Sequence, residues 1–104
     1  MFEFVVKEGC EASFLDSWPK VTQGIYLLKG SLGSRLHKDE TGKWIAYAQW
    51  PDKITYERAA SIEMSEAYEI ERANMHQSLN IESTQVLYQM HVETDYLQRR
   101  VFEV

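Results

Sequence analysis

Ser31–Pro51, SLGSRLHKDETGKWIAYAQWP, is the stretch whose reading decides the fold. It reads as two strands, Leu32–Lys38 and Lys43–Trp50, joined through Asp39-Glu40-Thr41-Gly42. Gly42 is free to take the positive φ that such a connection needs. The second strand is dense in aromatic and apolar residues, and Pro51 suits the first position of a following helix.

Towards the N-terminus, Phe2–Lys7 alternates Phe2, Phe4 and Val6 with Glu3, Val5 and Lys7, the period of a strand, and Glu8-Gly9 turns the chain. Cys10–Lys29 then carries an apolar stripe of Phe14, Trp18, Val21, Ile25 and Leu28 at helical spacing. Pro19 interrupts the stretch without breaking the phase of the stripe. That predicts two short helices in line or one kinked helix. Gly30 fits the position just past the helix.

Towards the C-terminus, Pro51-Asp52 opens a short helix to Ala60, Ser61–Glu63 breaks it, and Met64–Leu79 is helical again up to Asn80. Ile81–Glu93 reads as a fourth strand, with Val86, Tyr88, Met90 and Val92 on one face and Gln85, Leu87, Gln89 and His91 on the other. The charged tail Thr94–Val104 fits a short helix or a strand that reaches a partner.

The order strand, helix, strand, strand, helix, strand places all 104 residues in one α+β domain. It predicts a ferredoxin-like βαββαβ fold: a four-stranded antiparallel sheet with helices on one face. Strands one, three and four carry apolar residues on both sides. In strand three, Trp44, Ala46, Ala48 and Trp50 oppose Ile45, Tyr47 and Gln49. A second apolar face calls for a cover, and two sheets packed face to face in a symmetric homodimer provide one.

Composition narrows the function classes. At 44% hydrophobic and 26% charged, the chain has material for a core. A net charge of −5, with no basic cluster larger than Arg99-Arg100, argues against nucleic acid. No apolar run approaches the length of a bilayer span, and MFEFVVKEG does not read as a signal peptide. Cys10 is the sole cysteine, so no internal disulfide forms. The expectation is a cytoplasmic protein without membrane or nucleic-acid partners.

The run from Gly30 to Ala59 resembles the antibiotic-biosynthesis-monooxygenase domain, a branch of the dimeric α/β-barrel superfamily. The likeness lies in Gly30-Ser31-Leu32-Gly33, Arg35-Leu36-His37, the Asp/Gly turn, and Ala48-Gln49-Trp50-Pro51; with the flanking elements it covers roughly residues 1–93. It implies a homodimer with a cleft between each sheet and its own helices. It also implies a cofactor-independent oxygenation of a small phenolic or quinol substrate; the alternative is a non-catalytic dimer that binds a small apolar molecule or whose cleft is simply filled by side chains. The haem-degrading branch carries a tryptophan nine residues after the one closing strand three, a histidine ten further on, and an asparagine on strand one. Here those places hold Ala59 and Glu69, and strand one has no asparagine, so no haem is expected.

Eight residues are candidates for the site. Glu71 falls inside the stripe of Met64, Tyr68, Met75 and Leu79, where a carboxylate facing an apolar cleft could act as a general base, or could pair with an arginine such as Arg35 or Arg72. His37 and Arg35 share one side of strand two and could shuttle a proton and hold an oxyanion; alternatively His37 faces solvent or a dimer edge. Trp18, Trp44 and Trp50, with Tyr68 and Met75, could line a pocket for a flat aromatic ligand, the small Ala46 and Ala48 leaving a hollow between Trp44 and Trp50. The competing reading makes the tryptophans core residues under the helices. His76, His91 and Cys10 form no ligand spacing, so neither a metal nor a cofactor is expected.

Overall fold

The computed structural model describes residues 1–96. Residues 97–104, and with them most of the tail read above as a helix or partner strand, lie outside the described residues. The elements are β1 (Phe2–Phe4), α1 (Glu11–Lys29), β2 (Gly33–Lys38), β3 (Trp44–Gln49), α2 (Lys53–Ala59), α3 (Glu66–Gln77) and β4 (Gln85–Val86). The strands form one antiparallel sheet in the order β2-β3-β1-β4. This α+β arrangement is compatible with a ferredoxin-like fold.

The hairpin forms because Asp39 organises its turn. One carboxylate oxygen accepts from the Thr41 backbone N–H at 2.9 Å, the Thr41 hydroxyl at 2.7 Å and the Lys43 N–H at 2.9 Å. These bonds, that of the Thr41 hydroxyl first, hold the Asp39 carboxyl below its ordinary range. Register then follows from Gly33↔Gln49 to Lys38↔Trp44, and β1 joins with Phe2↔Ala46 and Phe4↔Trp44. Alternation puts Phe2, Phe4, Leu36, Trp44 and Ala46 on one face of the sheet.

That face receives α1 through Phe14. The Phe14 ring is fully buried, 5.3 Å from the Phe4 ring and 5.7 Å from Trp44 in an edge-on contact. Val21, Met75 and Leu79 complete the buried cluster, with Trp18, Ile25 and Leu36 packed against it. Trp44 thus turns inward, which settles which side of β3 meets the helices. α1 runs unbroken through Pro19, a difference from the two-helix alternative. Pro19 and Leu15 both lie on the exposed side, where water can serve the carbonyl that proline leaves without a donor.

α3 lies along α1 at Gly24. A Cβ there would come within 2.7 Å of the Tyr68 ring and 2.8 Å of Met64 Cε. The helices approach this closely only because that position has no side chain.

Two expectations need correction. The fourth strand is not Ile81–Glu93; only Gln85–Val86 pairs in the ladder, opposite Glu3 and Phe2. Ile81–Ser83 is consumed by a turn in which the Ser83 and Thr84 N–H groups donate to the Asn80 carbonyl. At the far end the Leu87 N–H donates to the Met1 carbonyl, and the Met1 ammonium donates to the Tyr88 carbonyl. The second sheet face is also less apolar than expected. Ile45 and Tyr47 of β3 are half-buried there, but register and alternation set Glu3, Arg35, His37 and Gln85 around them.

Gly24→Ala forces Tyr68 and Met64 aside. It is expected to destabilise the fold by about 1–3 kcal/mol, read as a lowered urea midpoint with an unchanged slope. An unaffected midpoint would show that the α1–α3 seam is looser than described.

Candidate functional site: a groove with a buried lysine

The eight candidates do not converge. Arg35 and His37 lie on the sheet face opposite the helices, and the His37 Nδ1 meets the Ile45 carbonyl at 3.2 Å across the hairpin. Glu71 lies on the helical side, partly shielded, with Lys20 Nζ 3.8 Å from its carboxylate. The sheet therefore separates the proposed proton shuttle and oxyanion holder from the proposed base. Its partner is a lysine rather than Arg35 or Arg72. Met75 and Trp44 are taken up by packing around Phe14, Trp18 packs against the same cluster, and Tyr68 closes on Gly24. Lys38 Nζ sits 5.0 Å from the Trp44 ring centroid, a cation–π contact. The hollow expected between Trp44 and Trp50 is not free space at Ala46, which is buried.

Trp50 is the exception. It lines an open groove of about 300 Å³ with Ile25, Lys29, Tyr56, Glu57, Ala59 and Ala60. Three local features build it. Asp52 caps α2 by accepting from the Thr55 N–H at 2.7 Å, which turns the chain sharply after β3. Tyr56 on the first turn of α2 then meets Trp50 edge-on, ring centroids 5.4 Å apart. Gly30, at φ 83°, ends α1 in the left-handed conformation and sits so close to Thr55 that a Cβ would fall 2.9 Å from its methyl group. The C-terminal turn of α1 is thereby tucked under α2.

Lys29 is the residue that sequence reasoning missed. The stripe predicted Leu28 inside, yet Leu28 is 41% exposed and Lys29 only 8%. The stripe reports which side of α1 meets the sheet. It does not report α2, which covers the neighbouring flank. Among the described residues the Lys29 ammonium forms no hydrogen bond and no ion pair. No buried side-chain nitrogen or oxygen there is left without a partner, so Nζ touches solvent; Lys29 is one of the residues that line the groove, and the charges that act on its amine, Arg72 and Glu69, belong to α3.

Burial pushes the Lys29 amine down from the ordinary 10.5; the Arg72 guanidinium adds to this and Glu69 partly opposes it. The α1 C-terminus favours a cation, which helps explain how the charge is tolerated. His76, on the last turn of α3, is lowered in the same way by burial, then Arg72, again against Glu69. The groove offers an aromatic wall, an apolar floor and a lysine whose burial favours the neutral amine more than in water. It can hold a flat molecule, accept its proton and then pair with the anion.

A second groove, of about 260 Å³ between α1 and α3, is polar and lined by Cys10, Ser13, Asp16, Ser17, Asn74, Gln77 and Ser78. Ser17 and Ser78 donate to helix carbonyls there, so their hydroxyls serve the backbone. Among the described residues no three of His, Cys, Asp and Glu are grouped to hold a metal ion. No described helix is long and apolar enough to cross a membrane.

No family model, no curated protein and no solved structure matches the chain.

Because Lys29 binds its proton less tightly when folded, the unfolded chain holds more protons between the folded midpoint and 10.5. Stability should therefore gain from rising pH across that window. Urea midpoints at pH 8 and pH 10 are expected to show a gain for wild type that is smaller in Lys29→Met. Equal gains would place the ammonium in water. Arg72→Gln is expected to move the NMR titration of His76 upward, since it removes the nearby positive charge.

Proposed function

We propose that this protein binds a small phenolic or quinol-type compound in the Lys29 groove. The observation that carries the reading is that Lys29, without a hydrogen bond or ion pair among the described residues, lines one groove with Trp50 and Tyr56. A flat ring fits against the aromatics. The amine takes the phenolic proton, and the resulting ammonium pairs with the phenolate where water competes least. Ile25, Ala59 and Ala60 supply the apolar contact.

The resemblance to the antibiotic-biosynthesis-monooxygenase domain suggests what can follow. A phenolate is electron-rich and is itself the reductant for oxygen in a cofactor-free oxygenation. In balanced form a phenol and one O2 give a quinone and one water. Under this reading Lys29 forms and holds the anion; the alternative is a binder that stops there. Adding protein to 4-nitrophenol below the phenol's own midpoint is expected to raise the visible phenolate band. Lys29→Met is expected to lose the effect, and Trp50→Ala to weaken it. An unchanged band, with no retention in equilibrium dialysis, would overturn the reading. Oxygen uptake with 1-naphthol separates the enzyme from the binder.

The ferredoxin-like dimer belongs to the same proposal. Ile45 and Tyr47 form a strip between Arg35 and His37 of β2 on one side and Glu3 of β1 on the other. A two-fold axis along β3 lays β2 of each copy over β1 of the other and sets the Arg35–His37 edge against Glu3 of the partner subunit, His37 level with it and Arg35 two residues further along. Arg35→Glu and Glu3→Arg are each expected to weaken the dimer in sedimentation equilibrium, and the double exchange to restore it. A wild-type monomer at micromolar concentration would contradict this.

A further inference from the structure

Lys29 differs from every other lysine in the chain. The sequence has five more, Lys7, Lys20, Lys38, Lys43 and Lys53, all exposed. Lys20 is engaged by Asp16 and Glu71, Lys53 by Glu57, and Lys38 by the Trp44 ring. Lys29 is more than nine-tenths buried, has no hydrogen bond or ion pair among the described residues, and lines the groove under Trp50 and Tyr56.

From this geometry we infer a second activity: Lys29 captures small aromatic aldehydes as an imine. The neutral amine attacks the carbonyl carbon, a nitrogen–carbon bond forms, and the carbonyl π pair moves to oxygen. Proton transfer from nitrogen to oxygen gives the carbinolamine. Loss of water, driven by the nitrogen lone pair, gives the C=N bond, so amine and aldehyde yield imine and one water with no oxidant or reductant. The groove favours each stage. Apolar walls penalise the ammonium and so enlarge the reactive neutral fraction, and Arg72 acts in the same direction while Glu69 opposes it. Glu57, which lines the groove although it also pairs with Lys53, and the Tyr56 hydroxyl are the other titratable groups at the rim. The Trp50–Tyr56 wall selects a flat aryl group over a small hydrophilic carbonyl.

This inference shares the groove with the phenol reading but not its ligand, and the two can fail separately. The full chain is incubated at neutral pH with 2-naphthaldehyde, reduced with cyanoborohydride, and examined by intact mass and peptide mapping. The hydride goes to the imine carbon, leaving a stable secondary amine. One label per chain at Lys29 is expected, ahead of all five exposed lysines. Glyoxylate, small and hydrophilic, is expected to show no such preference. Lys29→Arg keeps the charge and cannot form an imine. It is expected to lose the single preferred label, whereas Lys38→Arg keeps it. Label spread evenly over the lysines, or none anywhere, overturns the inference. If 4-nitrophenol still binds in that case, the phenol reading stands alone. Clean Lys29 labelling without phenol binding supports the imine and removes the phenol.

Discussion

The seating of Phe14 between Phe4 and Trp44 is the constraint on which the rest of the molecule depends. It fixes which side of the sheet is covered and sets the rotation of α1 about its own axis. Replacing such a ring with a methyl group would cost about 3–5 kcal/mol, a large share of what a small domain has. With α1 clamped there, Gly24 meets Tyr68 and Met64, and α3 falls into line. The last turn of α1 then projects beneath the junction of β3 and α2, and Lys29 goes with it.

Burying that lysine opposes folding. An ammonium loses hydration in the groove and gains no counter-ion within ion-pair distance among the described residues. A methionine or leucine would fill the same volume without the penalty. The C-terminus of α1, which favours a cation, offsets part of that penalty. The groove is open to solvent. Glu71, by contrast, has Lys20 at its carboxylate, and the polar groove between α1 and α3 is lined by serines whose hydroxyls serve helix carbonyls.

Much of the fold was legible in the residues. The Asp39–Gly42 turn, the aromatic strand after it and the helical stripe from Phe14 each carry a local signal, and helix and strand periods differ enough to be told apart. β4 was overread because alternation in Val86, Tyr88, Met90 and Val92 reports a propensity to pair. Whether a neighbouring strand lies alongside is a separate, long-range fact. The site was legible only at Trp50. Glu71, Arg35 and His37 each look reactive in isolation, but a sheet is opaque, and alternate residues of β2 cannot share a cleft with the helices. Lys29 carried a misleading signal: charged residues at helix ends are usually solvated, yet this one is buried where the end of α1 packs, with Gly30 close against Thr55 of α2.

The proposed site turns on Lys29 as a mostly buried, unpaired lysine, and its ionisation in the free protein tests that most directly. A side-chain NMR titration following the Cε and Nζ signals of all six lysines reads each midpoint in one experiment. Lys29 is expected to lose its proton at a lower pH than the five exposed lysines. A Lys29 midpoint at or above theirs would mean that the ammonium is solvated or paired. The groove would then be a surface crease rather than a site.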